Sequence, residues 1–110
     1  MVETDATLDF TKLDGLLPAV VQHHESGQVL MVGFMNQEAW SRSLQSRLVT
    51  FYSRTRNRLW TKGETSGDVL RIKRILLDCD GDTVLVMADP AGPTCHTGAV
   101  SCFFREISLA

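Results

Sequence analysis

The chain contains no Cys-x-x-Cys pair, no Gly-x-x-x-x-Gly-Lys-Ser/Thr loop and no Gly-x-Gly-x-x-Gly. Paired-thiol zinc modules, P-loop nucleotidases and Rossmann dinucleotide sites are therefore set aside. The longest apolar runs, such as "LLPAVV", fall far short of the roughly 20 residues that cross a bilayer. The opening "MVETDATLDF" is acidic and lacks both the positive and the apolar parts of a secretory signal. These absences predict a cytoplasmic protein with no membrane partner, in a compartment that keeps thiols reduced. Cysteine is scarce, and its count of 3 is odd, so a disulfide framework would leave one thiol unpaired. Net charge is only -2, which gives no general electrostatic reason to bind nucleic acid; any anion site must be local.

What is present is one domain's worth of chain. At 110 residues, with 44% apolar and 22% charged, the sequence has room for one small core. We read residues 1–110 as a single domain whose residues 1–14 form a loosely held N-terminal arm, ordered at Leu8 and Phe10. "LLPAVVQHH" and "QVLMVGFM" are β-branched stretches separated by "ESG", a hairpin turning at Ser26 and Gly27, with His23 and His24 as turn residues. "NQEAWSRSLQS" predicts one short helix, with Asn36 as N-cap, Glu38 in the first turn and Ala39, Trp40, Ser43, Leu44 and Leu48 at helical spacing. "LVTFYS" reads as a strand, and "RTRNRLWTKGETSG" as a long loop with a short strand around Leu59 to Lys62. "DVLRIKRILLD" and "TVLVMAD" form a second hairpin turning at "DGD", although the first of them alternates imperfectly. "FFREISL" predicts a last strand. The fold class is α+β, a mostly antiparallel sheet with one short helix and long functional loops.

All the cysteines fall in "DCDGDTVLVMADPAGPTCHTGAVSC", residues 78–102, as Cys79, Cys95 and Cys102. Three soft ligands without a fourth would leave one position open on a zinc ion, as catalytic sites require. On spacing alone, three small buried hydrophobes are the commoner case. His96 beside Cys95 is a candidate fourth ligand or proton carrier, and equally an exposed loop histidine. Asp78, Asp80 and Asp82 occur at i, i+2, i+4, which on an extended segment puts the carboxylates on one side and Cys79 on the other. Such like charges repel unless a cation or basic groups stand between them. Their hard oxygens suit magnesium or calcium, whereas thiols suit zinc; a solvated acidic turn is the plain alternative.

The basic counterpart is "SRTRNRLWTKGETSG", residues 53–67. Guanidinium forks, a lysine, hydroxyls and glycine-flanked amides are what a phosphate site requires. Trp60 could stack on a base or anchor the loop. A solvated basic loop competes evenly with that reading.

Together, "LPAVVQ" with "GQVLMVGFMNQEAW", "FYSRTRNRLWTKGETSG", "LLDCDGD" and "PAGPTCHTGAVSCFF" closely resemble the phosphoribosyl-AMP cyclohydrolase family of histidine biosynthesis. The resemblance runs from about Leu16 to Phe104, and it looks like the monofunctional form. It implies that Cys79, Cys95 and Cys102 bind Zn2+, that Asp78, Asp80 and Asp82 bind Mg2+, and that two chains form an intimate homodimer sharing zinc between partners. The implied substrate is 1-(5-phosphoribosyl)-AMP, hydrolysed between N1 and C6 of its adenine ring. Alkylation at N1 gives that ring amidinium character, so C6 needs mainly a nucleophile, and zinc-activated water supplies one. Three thiolates leave Zn2+ with a formal charge of about -1, so activation needs help from the protein. His96 is the expected general base, with Glu64 ranked behind it. Arg54, Arg58 and Lys62, completed by Thr65, Ser66 and Gly67, are expected to hold the two phosphates, with Trp60 nearby. The rival from another class is a zinc-stabilised nucleotide- or nucleic-acid-binding module, which would close its metal site with four protein ligands.

Overall fold

The computed structural model describes residues 7–109. In chain order its elements are β1 (Leu17–His23), β2 (Val29–Met35), α1 (Gln37–Ser46), β3 (Thr50–Ser53), β4 (Arg58–Thr61), β5 (Leu70–Leu77) and β6 (Val84–Pro90). The main sheet has the order β2-β1-β6-β5, and β3 and β4 pair as a separate antiparallel hairpin. Contacts β1–β2 and β5–β6 are antiparallel, whereas the central contact, β1–β6, is parallel. The α+β class holds, and the parallel pair is an addition that local sequence does not announce.

Strand alternation sorts the core. Leu17, Ala19 and Val21 of β1 and Val84, Val86 and Ala88 of β6 are buried on one face, joined by Leu30, Met31, Met35, Ala39, Val49, Phe51 and Leu70. Register breaks in β5 between Ile72 and Arg74, so Lys73 is a bulge residue. That bulge explains the imperfect alternation of the β5 sequence: Leu70 and Ile72 face inward before it, and Ile75 and Leu77 after it. The opposite face keeps an apolar row across all four strands, Val32, Val20, Leu85 and Leu76, fixed by the pairs Val20↔Val32, Val20↔Leu85 and Leu76↔Leu85. Val32 and Leu76 remain exposed.

Helix α1 starts as expected, with the Asn36 carboxamide accepting from the Ala39 amide at 2.8 Å. It ends at Arg47, whose left-handed backbone (φ 63) donates to the Ser43 carbonyl. Ala39 and Ser43 are buried, but Leu44 is exposed and Leu48 lies beyond the helix, so the inward stripe is narrower than its spacing suggests. Ser43 also clamps the following strand: its hydroxyl accepts from the Thr50 amide (2.9 Å) and donates to the Thr50 carbonyl (3.2 Å). The β3–β4 hairpin docks on β2 because Gly33 has no side chain; a Cβ there would lie 2.4 Å from the Phe51 ring.

Two expectations are corrected. The "RTRNRLWTKGETSG" stretch has its expected short strand, as β4, but two turns, at 54–57 and 62–66, take the place of a long loop. "FFREISL" forms no strand. The chain touches the edge of β2 just before this segment, through the Ser101 hydroxyl on the Val29 carbonyl (2.6 Å) and the Cys102 amide on the Leu30 carbonyl (2.8 Å). Without a ladder partner a β-rich sequence has no strand to form, and Phe103, Phe104, Ile107 and Leu109 are all exposed.

The arm is held more firmly than expected over residues 7–14; residues 1–6 lie outside the described residues. Leu8 and Phe10 pack against the core, and the Asp9 amide donates to the Gly81 carbonyl at 2.7 Å.

Candidate metal and phosphate sites

The acidic cluster sits on the reversal between β5 and β6, so its geometry is that of a turn and not of the extended segment expected from i, i+2, i+4 spacing. The pair Leu77↔Val84 forces the chain to fold back over 78–83. Asp78 holds this turn, its Oδ1 accepting from the amides of Asp82 (3.0 Å) and Thr83 (3.1 Å). Gly81 supplies the left-handed backbone, φ 76. One oxygen from each of Asp78, Asp80 and Asp82 lies within 4.8 Å of the others, a hard donor set that fits magnesium or calcium. The counter-charge comes from a residue without a local sequence signal. Lys12 Nζ lies 3.0 Å from Asp80 Oδ2 and 2.9 Å from Asp82 Oδ2, and these hydrogen bonds, Asp82 first, push the ammonium pKa up.

The thiols divide two and one. A tight turn carries Cys95: the Gly98 amide donates to the Cys95 carbonyl (2.9 Å), and the Cys95 amide to the Ala99 carbonyl (3.1 Å). Cys95 is buried, and the Thr97 hydroxyl donates to its sulfur at 3.1 Å. That hydrogen bond is the leading cause holding the Cys95 thiol below its usual range, with smaller help from Cys102 and from the Lys62 charge. The neighbouring Cys102 is pushed the other way by desolvation of its sulfur and by Cys95, with Lys62 opposing. Cys79 is exposed on the β5–β6 turn. Among the described residues only the acidic cluster gathers three or more ligand groups, so Cys79 does not join Cys95 and Cys102 within one chain. Next to Cys95, the buried Thr94 hydroxyl lacks a hydrogen-bond partner.

The basic residues point in three directions. Arg58, Trp60 and Glu64 line one cleft of about 310 Å³ together with Ser53 and Arg56. In it Arg58 Nη2 lies 3.7 Å from Glu64 Oε1. Arg54 instead lies over the Phe34 ring, 4.6 Å from its centroid, and lines a second cleft with Leu13, Asn36 and Tyr52. Lys62 acts on the thiol pair. Thr65, Ser66 and Gly67 are exposed on the turn after β4, which is closed by the Gly67 amide on the Gly63 carbonyl (2.7 Å). His96 is exposed on the thiol loop.

Asp68 lies close against both Gly63 and Gly92. A Cβ on Gly63 would lie 2.3 Å from the Asp68 carbonyl carbon, and one on Gly92 would lie 2.3 Å from Asp68 Oδ1. Neither Asp68 nor Lys12 carries a local sequence signal, because each acts across a long separation. Arg56 and Thr97 lie inside the quoted motifs, but nothing in the spacing there sets them apart from their neighbours.

The described residues thus form an α+β domain with an acidic turn, a thiol pair and a guanidinium-lined cleft. The family profile described as phosphoribosyl-AMP cyclohydrolase (PRA-CH) matches residues 31–104, and the chain belongs to that family. Its relatives include the histidine biosynthesis bifunctional protein HisIE of Photobacterium profundum, 60% identical over 100 residues, which are 91% of this chain and 48% of that protein. The proteins of the same name in Vibrio cholerae and Salmonella typhimurium are 59% and 60% identical over 96 residues, 87% of this chain and 46% and 47% of theirs. The chain thus spans about half the length of the curated relatives it matches. No helix among the described residues is long and apolar enough to cross a membrane.

Proposed function

We propose that this chain hydrolyses 1-(5-phosphoribosyl)-AMP, opening the adenine ring between N1 and C6 as a step of histidine biosynthesis, and that it does so as a homodimer with zinc shared between chains. The observation that carries the reading is the division of the thiols. Cys95 and Cys102 are paired with one sulfur biased toward thiolate, whereas Cys79 stands apart on another turn, so a three-sulfur site needs a second chain. The apolar row Val32, Val20, Leu85 and Leu76, and the exposed 103–109 segment, offer the surface that such a partner would cover. When bound, zinc on Cys79, Cys95 and Cys102 would supply Lewis-acid activation of water, and magnesium on Asp78, Asp80 and Asp82 would supply charge to hold a phosphate or the turn.

The chain's own residues do the rest. Arg58 and Arg56 line the cleft as forks for a phosphate, and Trp60 offers a face to a base. Lys62, Arg54, Thr65, Ser66 and Gly67 extend the basic surface. His96, exposed beside Cys95, takes a proton from the attacking water or passes one to the departing N1. Glu64, tied to Arg58, is the second candidate for that proton.

The test is to incubate zinc-loaded protein with phosphoribosyl-AMP and follow the absorbance change of ring opening. Activity lost to a chelator and restored by zinc is expected; an unchanged spectrum with a loaded protein refutes the reading. His96→Ala is expected to keep its zinc and lose about 10²- to 10⁴-fold in kcat. Cys79→Ala and Cys102→Ala chains, each inactive alone, are expected to regain activity when refolded together. No recovery would refute sharing.

A further inference from the structure

A site built from three thiolates has a charge problem, since each sulfur donates density to the ion and blunts it as a Lewis acid. The thiol loop contains a device aimed at one of those sulfurs. Thr97 accepts from the Ala99 amide at 3.4 Å, which occupies the oxygen from one side, and its hydroxyl donates to Cys95 Sγ at 3.1 Å. A hydroxyl both accepts and donates, so the oxygen can take the Ala99 amide while its single proton is directed at the sulfur. The rest of the loop keeps the arrangement rigid: Gly98 takes a left-handed backbone (φ 92), and the Thr94 amide donates to the Val100 carbonyl at 3.2 Å. Thr97 itself is exposed, so its side chain is not needed to fill the core.

We propose that Thr97 is a positioning residue for the ring-opening reaction: its hydroxyl orients the Cys95 sulfur and withdraws charge from it while that sulfur holds a metal ion. The inference rests on the reading of Cys95 as a ligand given under the proposed function. Donation to an anionic sulfur is charge-assisted and lowers the energy of the sulfur lone pairs. Partners one bond removed from a metal ligand change metal affinity or activity by about 10- to 100-fold when removed.

Cobalt(II) reports on this directly, because a thiolate bound to it gives a sulfur-to-metal charge-transfer band whose energy follows that of the sulfur lone pairs. The full chain is loaded with cobalt or with zinc, as wild type, as Thr97→Val, which keeps the shape without the proton, and as Thr97→Ser, which keeps the proton. The expected result is a charge-transfer band at lower energy in Thr97→Val, with kcat of the zinc form lowered about 10-fold at unchanged KM. Thr97→Ser is expected to restore both. A band that does not move in Thr97→Val overturns the proposal whatever happens to kcat, and so does failure of Thr97→Ser to restore it. If the wild type itself shows no sulfur-to-cobalt band, the assignment of Cys95 as a ligand fails and the inference goes with it, an outcome distinct from an unmoved band.

Discussion

Gly33→Ala adds one methyl group at the point where the β3–β4 hairpin rests on β2. That methyl would lie 2.4 Å, 2.5 Å and 3.0 Å from three carbons of the Phe51 ring. Carbon atoms settle at about 3.5–4.0 Å, so the ring must retreat by about 1 Å. Phe51 is 1% exposed, and its ring sits 5.2 Å from that of Trp60, so retreat disturbs the aromatic pair that carries the cleft. Overpacking of this kind costs about 1–3 kcal/mol. At roughly 4–8 °C per kcal/mol for a domain of this size, Tm should fall by about 5–20 °C. Intrinsic preference points the other way, since alanine within a strand is normally better than glycine by about 0.5–1 kcal/mol. The sign of the change therefore tests the packing argument. Thermal unfolding followed by circular dichroism, at fixed protein and metal concentrations, is the measurement. Adding Phe51→Leu should recover part of the loss, as a favourable coupling of at least about 0.5 kcal/mol in the double-mutant cycle. A Tm that is unchanged or raised in Gly33→Ala would refute the close approach of β2 and β3.

Other outcomes are open to the same kind of check. Ser43→Ala leaves the buried Thr50 backbone without its side-chain partner, and chemical denaturation should show a loss of about 1–3 kcal/mol. Asp9 accepts from the amide and hydroxyl of Thr11, and these bonds hold its carboxyl below the usual range. With the folded pKa below the unfolded one, their stabilisation is fully present above the ordinary carboxylate pKa and is lost as pH falls through the folded value. Protection of the Thr11 amide, its exchange rate compared with the intrinsic rate at the same pH, should fall on acidification and lose that pH dependence in Asp9→Asn. Lys12 occupies the acidic turn as a tethered cation, so Lys12→Ala should tighten Mn2+ binding there, measured by calorimetry; weaker binding would show that the ammonium supports the site.

Local grammar is readable where cause and effect lie close in sequence. The "ESG" and "DGD" reversals, the Asn36 cap and the acidic cluster all announce themselves within a few residues. The misreadings share an opposite property. "FFREISL" has the composition of a strand, but composition cannot supply the neighbour that a ladder requires. The turn at "DGD" is legible, but spacing puts Asp78, Asp80 and Asp82 on one side of an extended segment, whereas the pairing of Leu77 with Val84 folds 78–83 back. The basic residues look like one cradle because they are adjacent in sequence. Strand alternation and the tight turn at 54–57 instead send Arg54 to Phe34, Arg58 to the cleft and Lys62 toward the thiols. Lys12 and Asp68 are invisible because their partners lie far along the chain or depend on the missing side chains of distant glycines.

The parallel contact between β1 and β6 has a consequence for the order of assembly. Ala19 faces Val84 across it, so the helix, the basic hairpin and β5 all belong to the segment that must be enclosed before the central pair can form. Closing so long a loop is entropically costly until it is rewarded, and such topologies fold slowly. Cys95 and Cys102 follow β6 in the chain, and Cys102 is placed only by docking on the edge of β2. The thiol pair therefore exists only after β1 to β6 have been made, so the metal binding proposed above would be a late event in folding.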